Sequence, residues 1–163
     1  MTDPAAGLRI REAVRALVVD ESDRVLLGRF EFPSATRWAL PGGGLEPGES
    51  HPIALRRELE EEVGLVDAVI GAQIWRRLHI VPFLNGEFDG QRERIYLVHC
   101  QSFEPEPRLS WEQMNAEFVH ELRWWTLADI VSSDAYFVPR ELHALLATLL
   151  RDGPPQEPID VST

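Results

Sequence analysis

One segment, residues 42–65, constrains the fold and chemistry of this chain more than any other. It reads GGGLEPGESHPIALRRELEEEVGL and contains six glutamates. Ser50 is suited to cap a helix, Pro52 to its first turn, and Gly64 to a left-handed terminator. We therefore predict a helix over residues 52–63. Carboxylates spaced so closely repel one another, so the cluster is either fully solvated, as most acidic helix faces are, or holds a cation.

The helical period sorts this segment into an acidic edge and an apolar stripe. Glu58, Glu61 and Glu62 stand at i, i+3 and i+4, so their side chains converge on one edge. A second stripe, about 100° around the helix by its 3.6-residue turn, consists of Leu55, Leu59 and Val63. Convergent carboxylates are what a hard cation such as Mg²⁺ or Mn²⁺ accepts. Glu49 lies close enough to pair with Arg57, which gives Arg57 an orienting role.

Composition limits the remaining possibilities. A chain of 163 residues, 44% of them apolar, is long enough for one domain with a real core. The net charge of −11 argues against passive binding to a nucleic acid polymer or an anionic membrane. A bound divalent cation would reverse the local field, so a phosphorylated substrate remains compatible. The single cysteine, Cys100, permits no internal disulfide, and neither an apolar run of membrane-spanning length nor a secretory signal is present. We expect a soluble cytoplasmic protein.

The order of apolar runs and turn residues indicates alternating strands and helices. We predict a flexible N-terminal tail over residues 1–9, a domain over residues 10–151 and a flexible C-terminal tail over residues 152–163. Leucines at helical spacing predict a second helix over residues 139–151. Residues 110–121 fit either a loop or a short helix. The strand candidates are residues 14–19, 25–27, 38–40, 66–84, 94–100 and 122–126.

The spacing within the central segment carries a known signature. The order G-x5-E-x7-R-E-U-x-E-E-x-G-U, with U an aliphatic residue, is filled by Gly43, Glu49, Arg57, Glu58, Leu59, Glu61, Glu62, Gly64 and Leu65. Its seven identities would arise by chance in such a chain on the order of one time in a million. The segment resembles the signature of the Nudix hydrolase family, without a substitution. The flanking residues 38–43 and 123–125 also resemble the family, and the resemblance covers about residues 10–150.

This resemblance implies a fold and a reaction. The fold is an α/β/α sandwich with a mixed central β-sheet. The reaction is metal-dependent attack of water at phosphorus, which cleaves the diphosphate linkage of a nucleoside diphosphate joined to another group X. The substrate would be a nucleoside triphosphate or a nucleotide sugar such as ADP-ribose, and the resemblance is compatible with a homodimer.

The resemblance also implies roles for particular residues. Glu58, Glu61 and Glu62 would hold Mg²⁺ or Mn²⁺, together with the backbone carbonyl of Gly43. Glu49 and Gly64 would support the site, and Arg57 would act in catalysis by orienting these glutamates.

The general base is open between a signature glutamate such as Glu61 and a glutamate in the loop before the tryptophan-containing strand. For the loop we favour Glu117, with Glu112 and Glu121 as the other candidates.

Two other functions are compatible with this type of fold. A nucleotide-binding regulatory module without hydrolysis usually lacks signature glutamates, whereas this chain keeps them all. An isoprenoid diphosphate isomerase would need a cysteine early in the domain, and Cys100 lies late. The sequence does not decide which nucleoside diphosphate derivative is the substrate or how many metal ions are bound.

Overall fold

The structure, a computed structural model, describes residues 2–162. In this part of the chain nine strands and four helices follow one another. The strands are β1 (Ile10–Val19), β2 (Val25–Phe32), β3 (Ala35–Ala39), β4 (Gly42–Gly44), β5 (Gln73–His79), β6 (Gly90–His99), β7 (Val119–Trp125), β8 (Phe137–Val138) and β9 (Ile159–Asp160). The helices are α1 (His51–Val63), α2 (Trp111–Ala116), α3 (Leu127–Ser132) and α4 (Leu142–Asp152).

All strands belong to one mixed sheet. Its order is β8-β3-β2-β1-β6-β5-β9, with β4 added to β1 and β7 added to β2. The central pair, β1 and β6, is parallel along its whole length, whereas β2–β3, β2–β7 and β5–β6 are antiparallel. Because helices cover both faces, the predicted α/β/α sandwich with a mixed sheet is confirmed.

Strand β1 supplies side chains to two cores, one on each face of the sheet, because successive residues of a strand point in opposite directions. Val14 and Val18 pack toward α1, where Leu55, Leu59 and Val63 form the predicted apolar stripe. Leu17 and Val19 pack on the opposite face. That second core also contains Trp75 from β5 and Leu142, Leu146 and Leu149 from α4.

Several elements differ from the sequence-based expectations. The predicted hairpin of β1 and β2 is joined only at Val19 and Val25, because β1 continues beside β4 and β6 while β2 continues beside β3 and β7. Of the long strand predicted over residues 66–84, only Gln73–His79 is extended. Helix α3, which we did not predict, has a capping box in which Thr126 and Asp129 exchange hydrogen bonds.

Both predicted tails are in contact with the domain. Strand β9 pairs in parallel with β5, and Val161 is buried in the second core, so this segment covers the edge of β5. At the other end, Ala5 is buried and Arg9 forms an ion pair with Asp89. The sequence-based prediction overlooked these contacts because their partners are remote in sequence. The end residues 1 and 163 lie outside the described residues. No helix among residues 2–162 has the length and apolarity to cross a membrane.

Candidate active site

Strand β4 (Gly42–Gly44), named here the glycine turn, pairs with β1 at positions where only glycine fits. Gly42, Gly43 and Gly44 are opposite Arg15, Val14 and Ala13 respectively. Gly42 has a φ of 144°, and a Cβ there would lie 2.0 Å from the Val14 carbonyl oxygen. The Gly42 N–H donates a hydrogen bond of 3.0 Å to Glu62 Oε2, which ties the turn to helix α1.

Helix α1 ends at the predicted residue, Val63, and begins at His51, one residue before the predicted start. Ser50 is the N-cap, and its side chain accepts a hydrogen bond from the Ile53 N–H. Gly64 ends the helix in the left-handed conformation, with its N–H bonded to the Leu59 carbonyl. A Cβ at Gly64 would lie 2.2 Å from the Glu106 carbonyl oxygen, so a side chain has no room here. A side chain at position 64 would therefore disturb the end of helix α1.

The three glutamates of the acidic edge differ in exposure. Glu58 and Glu62 are buried against the glycine turn, with the Glu58 carboxylate directly beside Gly43. The Glu61 side chain is 37% exposed and lies on the outer side of this pair.

Burial makes the inner pair electrostatically unusual. Burial, together with the neighbouring Glu58 charge, raises the pKa of Glu62 to about 8. Burial also raises the pKa of Glu58, although Arg57 opposes this change. A bound cation would offset the free-energy cost of ionising two buried carboxylates. Glu58 and Glu62 are therefore chemically suited to a hard divalent ion. As their side chains stand, however, no three acidic, histidine or cysteine residues among residues 2–162 form a metal-binding group.

Arg57 is the centre of the hydrogen-bond network around these glutamates. It donates to both carboxylate oxygens of Glu49 at 2.8 Å, the pairing that the sequence predicted. It also reaches Glu58 at 3.1 Å, Glu61 at 3.3 Å and the Gly44 carbonyl at 3.2 Å. Hydrogen bonds from Arg57 and from the Glu46 N–H lower the pKa of Glu49 to about 2. Arg57 is thereby fixed between the start of the helix and the acidic edge.

A groove of about 930 Å³ reaches Leu40, just before the glycine turn, but is not lined by Glu58, Glu61 or Glu62. Arg11 lines it and packs over Gly44. Glu117, at the C-terminal end of α2, also lines the groove and acts electrostatically on both Arg11 and Glu62. Glu112 and Glu121 do not line it, and Glu121 is instead paired with Arg29. Of the three loop candidates for the general base, Glu117 is the one at the groove.

Comparison with known proteins identifies the family. The model of the NUDIX domain family matches residues 9–146. The chain belongs to the NUDIX domain family. It is therefore a Nudix hydrolase by family, as the signature predicted.

The Nudix chain has similar relatives in both sequence and structure. RNA pyrophosphohydrolases of Rickettsia bellii and Rickettsia typhi are each 28% identical to it; the matches cover 77% of this chain and 81% and 80% of theirs. The NUDIX domain of Shewanella oneidensis NrtR, solved with ADP ribose, superposes with a TM-score of 0.65 at 22% identity, over 91% of this chain and 94% of that one. A MutT NUDIX hydrolase from Burkholderia pseudomallei gives a TM-score of 0.56 at 27% identity, over 85% and 97%.

Several groove residues of this Nudix domain were not predicted from the sequence. Phe30, Phe32 and Phe118 line the groove, and so do Arg37 and Tyr136. Their sequence positions carry no pattern that distinguishes them from core aromatics or solvated arginines, because they come from three separate parts of the chain.

Arg37 and Arg140 both lie over the ring of Tyr136 at the groove. Their guanidinium carbons are 3.6 and 4.0 Å from the ring centroid, within the range of cation–π contacts. Within residues 2–162, neither arginine has a carboxylate oxygen closer than 4.0 Å. Of the two, only Arg37 lines the groove, so the groove has a positive charge there without a close carboxylate among residues 2–162, in a chain whose net charge is −11.

Proposed function

We propose that this Nudix domain is a hydrolase, dependent on Mg²⁺ or Mn²⁺, that cleaves the diphosphate linkage of a nucleoside diphosphate joined to another group X. The observation that carries this proposal is the buried pair Glu58 and Glu62, held against the glycine turn at the side of an arginine-containing groove. A buried anionic pair of this kind is costly to ionise without a cation. The adjoining groove has the opposite charge, which suits an anionic substrate.

In this proposal Glu58, Glu61 and Glu62 hold the metal ion with the carbonyl oxygen of Gly43. When bound, a divalent ion neutralises the diphosphate and lowers the pKa of a water molecule. Arg57 is a positioning residue, because its hydrogen bonds to Glu49 on one side and to Glu58 and Glu61 on the other fix the acidic edge.

The proton of the attacking water must be accepted by a nearby base. Glu117 lines the groove and interacts with the charges of Arg11 and Glu62, which supports it as that base. The water oxygen forms a bond to phosphorus, the bond from phosphorus to the bridging oxygen breaks, and the proton passes to the Glu117 carboxylate. Arg11 lies where it can offset charge on the phosphate oxygens.

The groove suits a nucleotide of moderate size. Its volume, about 930 Å³, is near the upper end of the range of roughly 300–1,000 Å³ for small-molecule sites. Phe30, Phe32 and Phe118 offer faces for stacking a base, while Arg37 beside Tyr136 offers a contact for an anionic group. We propose nucleoside triphosphates and nucleotide sugars such as ADP-ribose as the substrate class. The name of the Rickettsia relatives, RNA pyrophosphohydrolase, adds RNA as a candidate substrate, although the net charge of −11 disfavours a long polymer.

A nucleotide panel tests the proposal. Release of phosphate, pyrophosphate and nucleoside monophosphate is measured for each candidate with Mg²⁺, with Mn²⁺ and with EDTA. We expect turnover of at least one nucleotide, abolished by EDTA and strongly reduced in Glu61→Gln. Tight nucleotide binding without turnover would favour a regulatory module instead. Full metal-dependent turnover by Glu61→Gln would contradict the ligand assignment.

A further inference from the structure

The C-terminal segment is connected to the glycine turn through three charged residues, of which Arg77 and Glu93 are buried and Arg15 is half-buried. We propose that Arg77, Glu93 and Arg15, named here the relay, transmit the docking of Val161–Ser162 to the glycine turn 42–44 and position it against Glu62. The three are positioning residues for the metal site, so the inference rests on the proposed function.

The outer half of the relay begins at the C-terminal segment. Arg77 Nε donates a hydrogen bond of 3.2 Å to the carbonyl oxygen of Ser162. Arg77 Nη1 forms an ion pair with Glu93 Oε1, directly across the β5–β6 pairing. The side chains of Arg77 and Glu93 are only 7% and 6% exposed, so the pair is largely shielded from solvent.

The inner half ends at the acidic edge. Arg15 Nε donates to the other oxygen of Glu93, Oε2, at 2.7 Å. Arg15 Nη1 donates to the carbonyl oxygens of Leu40 at 3.1 Å and Gly42 at 3.2 Å. The N–H of Gly42 in turn donates to Glu62. Gly42 is therefore held through its carbonyl by the relay and through its N–H by a proposed metal ligand.

The C-terminal segment is itself fixed by contacts outside the relay. The Glu141 carboxylate accepts hydrogen bonds from the N–H and the hydroxyl of Ser162. The Val161 N–H donates to the Arg76 carbonyl oxygen at 2.9 Å, and the Val161 side chain lies in the second core. The Ser162 carbonyl is thus held in place where it meets Arg77.

The burial of Arg77 and Glu93 beside a half-buried Arg15 requires an explanation other than stability. Replacing buried ions by apolar side chains of similar volume is often neutral or stabilising, so such a network contributes mainly geometry. Arg15 suits that role because its planar guanidinium contacts Glu93 and two backbone carbonyls in fixed directions. Glu93 is kept ionised: burial acts to raise its pKa, but Arg15 and Arg77 outweigh this effect and lower it.

Arg77 and Arg15 also line the groove, so a direct contact with substrate is the competing explanation. The two roles have different kinetic consequences. Loss of a substrate contact raises KM, whereas misplacement of the glycine turn lowers kcat and weakens metal binding in the absence of substrate.

The test compares Arg77→Met and Glu141→Ala with Arg76→Gln as a matched control. Arg76 is the neighbour of Arg77 and also contacts the C-terminal segment, but through an exposed ion pair with Asp160. Hydrogen exchange of the Gly42 amide is measured by NMR, with the Leu97 amide, bonded to the Ala72 carbonyl, as a reference for global opening. Mn²⁺ affinity is measured by EPR without substrate, and kcat and KM are measured separately.

We expect Arg77→Met to accelerate Gly42 exchange relative to Leu97 and to weaken Mn²⁺ binding by about 10- to 100-fold, as loss of support behind metal ligands does. kcat should fall with KM nearly unchanged, and Arg77→Lys should restore part of the loss. Glu141→Ala should act in the same direction, and Arg76→Gln should leave all values near wild type.

Three results would overturn the relay. Arg77→Met could accelerate amide exchange equally at Gly42 and Leu97, or it could change only KM. Alternatively, Arg76→Gln could change exchange and Mn²⁺ affinity as much as Arg77→Met does. If the exchange rate of the Gly42 amide is unchanged in Glu141→Ala, the link to the C-terminal segment is overturned. If the wild-type protein hydrolyses no nucleotide, the proposed function fails, but the exchange and Mn²⁺ measurements still decide the relay.

Discussion

The carboxylate of Glu58 occupies the space that a side chain on Gly43 would need. A Cβ at position 43 would lie 2.6 Å from Glu58 Oε1 and 2.8 Å from the carboxyl carbon. Gly43→Ala must therefore displace the Glu58 carboxylate. We expect Mg²⁺ affinity and kcat to fall by about 10- to 100-fold, as happens when support for metal ligands is lost.

Gly28→Ala is the matched control for this substitution. A Cβ at Gly28, in β2, would meet its nearest neighbour, the Phe30 ring, at an ordinary 3.5 Å. It should leave metal affinity unchanged. Isothermal titration with Mg²⁺ and steady-state kinetics compare the two variants. Wild-type Mg²⁺ affinity in Gly43→Ala would show that Glu58 does not hold the ion.

The pairing of Glu49 with Arg57 predicts a loss of stability in acid. The pKa of Glu49 is lowered from 4.5 to about 2, so the unfolded state binds a proton before the native state does. The stabilisation is complete above pH 4.5 and disappears as the pH falls through about 2. Scanning calorimetry of wild type and Glu49→Gln should give a Tm difference that is largest near neutral pH and shrinks in acid.

Glu60→Gln provides the comparison for this pH dependence. Glu60 lies on the same helix and forms an ion pair with Arg108, whose side chain is 60% exposed, so this pair is accessible to solvent. Exposed pairs of this kind contribute little. A difference between wild type and Glu49→Gln that does not vary with pH would refute the coupling of this ion pair to folding.

The raised pKa of Glu62 predicts that the stability of the metal-free protein depends on pH in the opposite direction to the effect of Glu49. The pKa of Glu62 is raised from 4.5 to about 8, so between these values the native state keeps a proton that the unfolded state releases. Stability should therefore fall as the pH rises through this window. Mg²⁺ binds the ionised form, so the increase in Tm that it causes should grow with pH.

Thermal unfolding with EDTA and with Mg²⁺, from about pH 5 to about pH 8, checks this prediction. In Glu62→Gln the decline of metal-free stability with pH should be smaller, since the variant has no carboxyl group to ionise at this position. A Mg²⁺ effect on Tm that is the same at both ends of the range would argue against a metal ion held by this carboxylate.

The local parts of the site could be predicted from the sequence, because their contacts span few residues. The helix limits, the Ser50 cap, the Gly64 terminator and the pairing of Glu49 with Arg57 all lie within one segment. The fold class followed from the family signature.

The non-local parts could not be predicted. Glu93 meets Arg15 and Arg77 only because β1 and β5 flank β6 in one particular register. A single sequence does not reveal that register, since a shift by one residue would move every side chain to the other face. The docking of β9 was missed for the same reason: its partner strand, β5, ends at His79, remote in sequence.

Arg37 at the groove predicts a specific effect on substrate binding. Its guanidinium lies over Tyr136, and no carboxylate among the described residues approaches it. If it contacts an anionic group of the nucleotide, loss of one charged hydrogen bond, worth about 1.5–3 kcal/mol, should raise KM by roughly 10- to 100-fold. Steady-state kinetics of Arg37→Gln test this, with kcat expected to stay close to wild type.

Arg56→Gln is the matched control for Arg37→Gln. Arg56 also lacks a carboxylate partner within residues 2–162, but it lies on α1, bonds to the Ala68 carbonyl and does not line the groove. The KM of Arg56→Gln should equal that of the wild type. An equal rise in KM for both variants would indicate a general effect of net charge, not a contact in the groove.

We predict that Glu117 is the general base. Removing a positioned base slows the chemical step by about 10²- to 10⁴-fold, so Glu117→Gln should lower kcat by that order with little change in KM. Glu112→Gln, on the same helix but outside the groove, should keep wild-type kcat. Single-turnover measurements across a pH series separate chemistry from product release. If Glu117→Gln keeps its kcat while Glu61→Gln loses it with metal affinity intact, the proton is accepted by the signature helix, and Glu117 serves only to offset the charge of Arg11.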